Sequence, residues 1–290
     1  MPLQSGVLRI TKTPQEPRED SDNSITLFAN PLTRMARTRD GHDVAIRVIT
    51  INNEGHDHLS ILRKVATGPI TLLSNNHVLP MFTEFHFHDV AFGIFPKVGW
   101  MVSDAYDYWA KNSVGDIVDM LMQALEGLAF IHDLKVAHRD AFRDNFLIQW
   151  HPESMRSMTI PVSRPRVYLI DFEVAVEFPP DCPPAECVCT GYPLGGSFSE
   201  PEMYSRPPAP EMTTSEPYSP FKTDVWQLGI SFADFHANIP GIDEVLKEMT
   251  HADPGARPCA GEALEKLARV VNALPPAALL IHPEILLQDP

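Results

Sequence analysis

The chain has 290 residues, 44% of them hydrophobic, and a formal net charge of −15, which is enough chain for one large domain or two lobes with separate cores. The acidic balance argues against nucleic acid and against an anionic membrane surface as partners, because both call for a basic face. No apolar run reaches the length of a membrane span, the opening MPLQSGVLRITK lacks the charged-then-apolar order of a signal peptide, and four cysteines are too few for a disulfide framework; a reducing intracellular compartment, the cytoplasm, is the expected location.

Residues 1–24 are polar, with prolines and mixed charge in TPQEPREDSDNS, and read as a flexible arm. SITLFANPLTRMARTRDGHDVAIRVIT then alternates β-prone residues about Asp40-Gly41, the pattern of a hairpin whose second strand is Val44 to Ile49. HDHLSILRKVATG sets Leu59, Leu62 and Val65 at helical spacing and stops near Gly68. HFHDVAFGIFPKVG reads as a further hairpin strand, so the first hundred residues describe a small sheet with one helix. The remainder is mostly helical. SVGDIVDMLMQALEGLAFIHDLK places Ile117, Leu121, Ala124, Leu125, Leu128 and Ile131 on one face behind a Ser113 cap. RVYLID is a short buried strand. TDVWQLGISFADFH, GIDEVLKEMTH and PCAGEALEKLARVVNAL are further helices. Segments 151–165 and 203–221, rich in Pro, Ser and Thr, read as loop insertions. DCPPAECVC groups Cys182, Cys187 and Cys189 without the paired spacing and fourth ligand of a zinc site, and reads as a Pro-rich exposed loop.

HRDAFRDN, residues 138–145, puts an acid, Asp140, five positions before an amide, Asn145. One reading is a charged turn after an apolar helix. The other is mechanical: the acid accepts a hydroxyl proton and the amide holds a magnesium ion during phosphoryl transfer.

With that loop between a long helix and a strand ending in Asp171, the chain resembles a eukaryotic protein kinase over roughly residues 25–275. VAIR stands where the third strand's V-A-I-K belongs, and NNHVLPMF resembles the loop after the αC helix. HRDAFRDN resembles the catalytic loop, DFE the metal-binding D-F-G, and FSEPE the A-P-E end of the activation segment. DVWQLG resembles the start of αF, and DPGARP the αH–αI turn. The resemblance implies an α+β fold with two lobes: an N-lobe sheet with one helix over residues 25–97, a helical C-lobe over 98–275 and a tail over 276–290. It implies ATP and Mg2+ as cofactors. Asp140, Arg143 and Asn145 become the catalytic set, Asn145 and Asp171 the metal ligands. Ala45, Arg47, Phe95, Lys97 and Val98 join those two ligands along the nucleotide. Glu202 and Arg257 become a buried ion pair, Asp224 the holder of the catalytic loop, and Arg139 the receiver of a phosphorylated activation loop, with Thr190, Ser197 and Ser199 as candidate phosphosites. The expected partner is a protein substrate of unknown identity, met by a monomer.

The pattern also departs from the family. SITLFAN has no glycine where the Gly-rich loop belongs, and backbone without glycine does not approach phosphates closely. Arg47 replaces the lysine, His58 the αC glutamate, and Glu173 the glycine of D-F-G, adding negative charge near the nucleotide. Phe142 takes the place of the lysine two after Asp140, leaving Arg143 to reach the transferred phosphate. Only residues 225–256 separate Asp224 from Arg257, which leaves little space for the family's αG helix, expected to be reduced or missing. The mixture of kept and lost motifs is similar to the kinase-like families of mushroom-forming fungi. An atypical protein kinase, a pseudokinase serving as a binding module, and a small-molecule kinase, whose I-D-F-E this chain shares, are the readings that follow.

Overall fold

The computed structural model describes residues 32–108, 113–149, 165–193 and 204–285. The arm, the stretch SITLFAN and nearly all of the 151–165 insertion lie outside them. The first lobe is built on four described antiparallel strands, β1 (Thr33–Arg37), β2 (Asp43–Ile51), β3 (Thr83–Phe87) and β4 (Val90–Pro96), in the order β1-β2-β4-β3. Asp40-Gly41 closes the first hairpin: Gly41 takes a left-handed φ of 92°, and Thr38 and His42 exchange backbone and side-chain bonds around it. A register shift between Val48 and Thr50 divides β2. Before it, Val44 and Ile46 pack with Ile94 in a small cluster; within it, Ile49 enters the main core.

Helix α1 (His56–Val65) follows β2 through Gly55, at φ 83°. A Cβ there would lie 2.2 Å from the Ile49 carbonyl oxygen, so glycine alone lets the helix start this close to the strand. The helix buries His58, Leu59, Ile61, Leu62 and Val65. It ends at Val65, and Gly68 opens a separate 3-10 turn, Gly68–Leu72.

Strand β5 (Trp100–Met101) and helix α2 (Val102–Tyr108) lead into the second lobe. Its axis is α3 (Val114–Asp133), capped by Ser113 in a reciprocal box with Asp116. All six of the residues expected on its inner face are fully or nearly fully buried. Two short sheets frame the loops at the lobe junction: β6 (Val136–Ala137) with β9 (Val176–Glu177), and β7 (Phe146–Gln149) between β5 and β8 (Arg166–Leu169). Helix α4 (Pro220–Ile230) is enclosed on nearly every side, and its polar residues Thr223, Asp224 and Gln227 are buried with their partners. It stops at Ile230 rather than continuing through Phe235, which instead forms β10 (Phe235–His236).

Between α4 and Arg257 stands one helix, α5 (Pro240–Met249), so no αG helix intervenes. Helix α6 (Ala260–Ala273) packs on α3. Residues 276–285 fold back on the lobe: Leu279 is buried beside Gly115, Ile281 accepts from the Val114 amide, and β11 (Glu284–Ile285) pairs with β10. An antiparallel sheet with one helix above a mainly helical lobe is the bilobal α+β arrangement.

Two expectations from composition are corrected. Residues 204–221 are not a loose insertion: Ala209, Met212 and Tyr218 pack on Trp226 as a second core. Proline there pre-sets φ at the start of the 3-10 turn Pro210–Thr213, where no amide is needed. The cysteine segment is not simply exposed either, since Cys187 is completely buried.

Candidate active site

The loop 138–145 is held from below by α4. The buried Asp224 carboxylate accepts the backbone amides of His138 at 2.8 Å and Arg139 at 2.6 Å, and His132 at 2.8 Å. Gln227, one turn on, accepts from the Ala141 amide at 2.9 Å and donates to the Arg139 carbonyl at 2.8 Å. Arg139 thereby takes a left-handed φ of 66°, and Asp171 on the facing loop one of 67°. Non-glycine residues persist in that region only where their surroundings over-determine it, and such residues cluster at functional sites. His138 joins the two loops. Its Nδ1 accepts from the Asp140 amide, which leaves Nε2 to donate to the Ile170 carbonyl at 2.8 Å, and its ring meets Phe172 edge-on. The Ile170 amide donates in turn to the Asn145 carbonyl at 3.0 Å.

Asn145 and Asp171 therefore stand on loops bonded directly to each other. The Asn145 side-chain amide donates to the Asp140 carbonyl at 2.7 Å and to Asp140 Oδ2 at 2.6 Å. That spends its nitrogen on the acid and leaves its Oδ1 as an acceptor. The other Asp140 oxygen, Oδ1, is buried without a well-aligned donor, with Arg206 Nε 3.4 Å away. Burial pushes the Asp140 carboxyl above its ordinary range, against the pull of Arg206, His138 and Asn145.

Ala45, Arg47, Phe95, Lys97, Val98 and Asp171, each expected along a nucleotide, line one cleft between the lobes; Asn145, expected with them, is not in its lining. Inside it Arg47 bonds Asp171 at 2.9 Å and also Glu173. Glu173 was expected to load the site with negative charge. It is instead a partner of Arg47, and the charge is compensated. His58, at the αC glutamate position, lines the same cleft. Burial, then the nearby Arg47 cation, lowers its pKa to about 4, so it stands neutral beside the arginine. The ion pair that the family draws between strand and helix is here drawn between strand β2 and the loop after β8.

Arg143 does not enter the site. Its Nη1 donates to the Ser231 carbonyl at 2.7 Å and faces Asp234 at 3.3 Å, and its guanidinium lies over Tyr106. Three positions after Asp140, in the 3-10 turn Arg143–Asn145, a side chain leaves toward the helical lobe rather than the cleft. The cation beside Asp140 is Arg206, unremarked in the sequence. It bonds Asp144 at 2.6 Å and stacks over Phe142, the residue at the missing lysine's position.

The buried ion pair is also reassigned. Glu202 lies outside the described residues, and both terminal nitrogens of Arg257 are taken by Glu211, at 2.5 and 2.7 Å. Ala209-Pro210-Glu211 is a literal A-P-E, and its glutamate is the one that meets Arg257. Burial alone would raise the Glu211 carboxyl, but Arg257 holds it below its usual range. Thr190 is described and exposed, Ser197 and Ser199 lie outside the described residues, and Arg139 Nη1 faces the Val174 carbonyl at 3.4 Å.

These paired loops under a strand-borne cation define a protein kinase domain. Residues 101–251, just over half of the chain, match the protein kinase domain family, and the chain belongs to it. It is similar to the serine/threonine-protein kinase ppk8 of Schizosaccharomyces pombe, 31% identical over 116 residues, 39% of this chain and 18% of the relative. A serine/threonine-protein kinase of Saccharomyces cerevisiae is 29% identical over 140 residues, 48% and 19%. A protein of Acanthamoeba polyphaga mimivirus, provisionally named as such a kinase, is 22% identical over 250 residues, 77% and 83%. The chain thus spans under a fifth of the length of the two fungal relatives. No helix among the described residues is long and apolar enough to cross a membrane.

Proposed function

We propose that the chain is an atypical ATP-dependent protein kinase, with a serine, threonine or tyrosine hydroxyl of a protein as acceptor. The observation that carries this reading is the Asp140–Asn145 pair, fixed by Asp224 and Gln227 and bonded across to the Asp171 loop. Asp140 orients the acceptor hydroxyl and takes its proton. Asn145 Oδ1 and the Asp171 carboxylate are hard oxygen donors that fit magnesium, and they are the residues that would hold it. When bound, the metal neutralises charge on the nucleotide phosphates. Arg47 supplies the cation of the missing lysine, with Glu173 as its counter-ion in place of the αC glutamate. Arg206 keeps positive charge beside Asp140 where Phe142 cannot.

A radiolabel-transfer assay with generic protein acceptors tests the reading. Transfer should occur with Mg2+ or Mn2+, and Asp140→Asn should remove most of it, on the order of 10²–10⁴-fold, while nucleotide binding stays close to wild type. Equal transfer by wild type and variant would point to a contaminating kinase and remove the support.

One observation favours a second reading, a pseudokinase that uses the fold to bind. Arg47 engages Asp171 as well as Glu173, so a proposed metal ligand already has a counter-charge. Absence of transfer together with absence of metal-dependent nucleotide binding is the result that reading expects.

A further inference from the structure

The turn between β9 and Tyr192 holds four features that phosphoryl transfer does not use: two sulfurs in contact, two Pro-Pro pairs, a buried cysteine and a partly exposed one. Cys187 is fully buried and its Sγ lies 2.7 Å from Cys182 Sγ, while Cys182 is partly exposed. The backbone holds this approach independently of the sulfurs. Cys182 N bonds Pro179 O, Glu186 N and Cys187 N both bond Pro183 O, and Val188 N bonds Glu186 O. Pro179, Pro180, Pro183 and Pro184 fix φ through the same turn, so little chain freedom remains to be lost when the sulfurs join. The other two cysteines are placed elsewhere: Cys189 is tied by backbone to Tyr218, and Cys259 caps α6.

We propose that Cys182 and Cys187 are a dithiol site that closes to an intramolecular disulfide by exchange with a small-molecule disulfide such as oxidised glutathione. Cys182, the accessible sulfur, attacks as thiolate and forms a mixed disulfide, expelling one glutathione thiolate. Cys187 then attacks the Cys182 sulfur and expels the second. The two cysteines lose two protons and two electrons, and one glutathione disulfide becomes two thiols. The Cys182 thiol is pushed up to about 11, first by its bond with Cys187, so the first step should quicken as pH rises. Closure ties the residues after β9, whose partner strand β6 enters the catalytic loop, to the Cys189–Tyr218 bridge. The proposal does not depend on phosphotransfer.

The test is intact-mass spectrometry of the whole chain after equilibration with reduced and oxidised glutathione at mildly alkaline pH. The expected result is a loss of two hydrogens, reversed by excess dithiothreitol, with the halves on either side of Glu186 still joined after cleavage there. Cys189→Ser and Cys259→Ser should keep the loss; Cys182→Ser and Cys187→Ser should abolish it and carry a glutathione adduct or none. An unchanged mass, a stable glutathione adduct on wild type, or a bond that includes Cys189 or Cys259 would each overturn the assignment.

Discussion

At the scale of single residues, the arrangement turns on which cation meets which carboxylate. On the proposed function Asp140 acts as a base only when ionised, so activity should be present above its pKa and lost as pH falls through it. Burial has already raised that pKa from the ordinary 3.8, and Arg206 restrains the rise. Arg206→Ala should therefore move the acid limb of the kcat/KM profile to higher pH and lower kcat on the order of 10²-fold, while Arg206→Lys recovers part of both. A profile that keeps its acid limb would show that Arg206 does not act on Asp140. Arg206 escaped notice in the sequence because nothing local marks it; only the chain's path returns it to Asp140. Arg143 drew notice for the opposite reason, sitting next to the motif with a side chain that points away. The Asp140–Asn145 spacing was legible because the motif carries the loop geometry within eight residues, and Asp171 because DFE follows directly on a short apolar strand.

At the scale of elements, a strand-to-helix ion pair has been redrawn as a strand-to-loop one. Glu173→Gly should leave Arg47 short of a partner and weaken Mg-ATP binding roughly tenfold, or about 1.4 kcal/mol. Adding His58→Glu should return most of that affinity, since it restores an acid on α1 facing the same cleft. Calorimetric titration of both variants checks this; a double variant as weak as the single one would refute the substitution of one acid for the other. The Arg257–Glu211 pair anchors the segment before α4. Glu211→Gln leaves a buried guanidinium without its charge partner, which typically costs roughly 3–5 kcal/mol. At about 2–4 °C per kcal/mol, that is a melting drop of roughly 6–20 °C in calorimetry at neutral pH. Because the folded Glu211 pKa lies below 4.5, its contribution is present above the ordinary value and lost as pH falls through the lowered one; the variant should lack that acid step. Periodicity exposed α3 and its cap in the sequence. It failed at 203–221, where prolines that serve a packed turn look like the prolines of a loose loop, and where FSEPE and APE compete within ten positions.

At the scale of the molecule, two lobes meet at a cleft, and one lobe lacks the helix between α4 and α5 that a longer interval would hold. The bilobal order was readable from hydrophobic patterning and motif order, because each lobe's elements are nearly consecutive in the chain. The folding back of 276–285 was not, since a short strand pair and one buried leucine leave little periodic trace. The central claim is that a metal–nucleotide complex binds at this cleft, held by Asp171 in its lining and by Asn145 on the loop bonded beside it. Thermal unfolding with millimolar ATP, with and without Mg2+, tests it most directly. At about 100 times the dissociation constant the complex should add roughly 2.7 kcal/mol, a melting shift on the order of 5–10 °C. The shift should need the metal and shrink in Asp171→Asn; a wild-type chain whose melting ignores Mg-ATP at millimolar concentration would contradict the account.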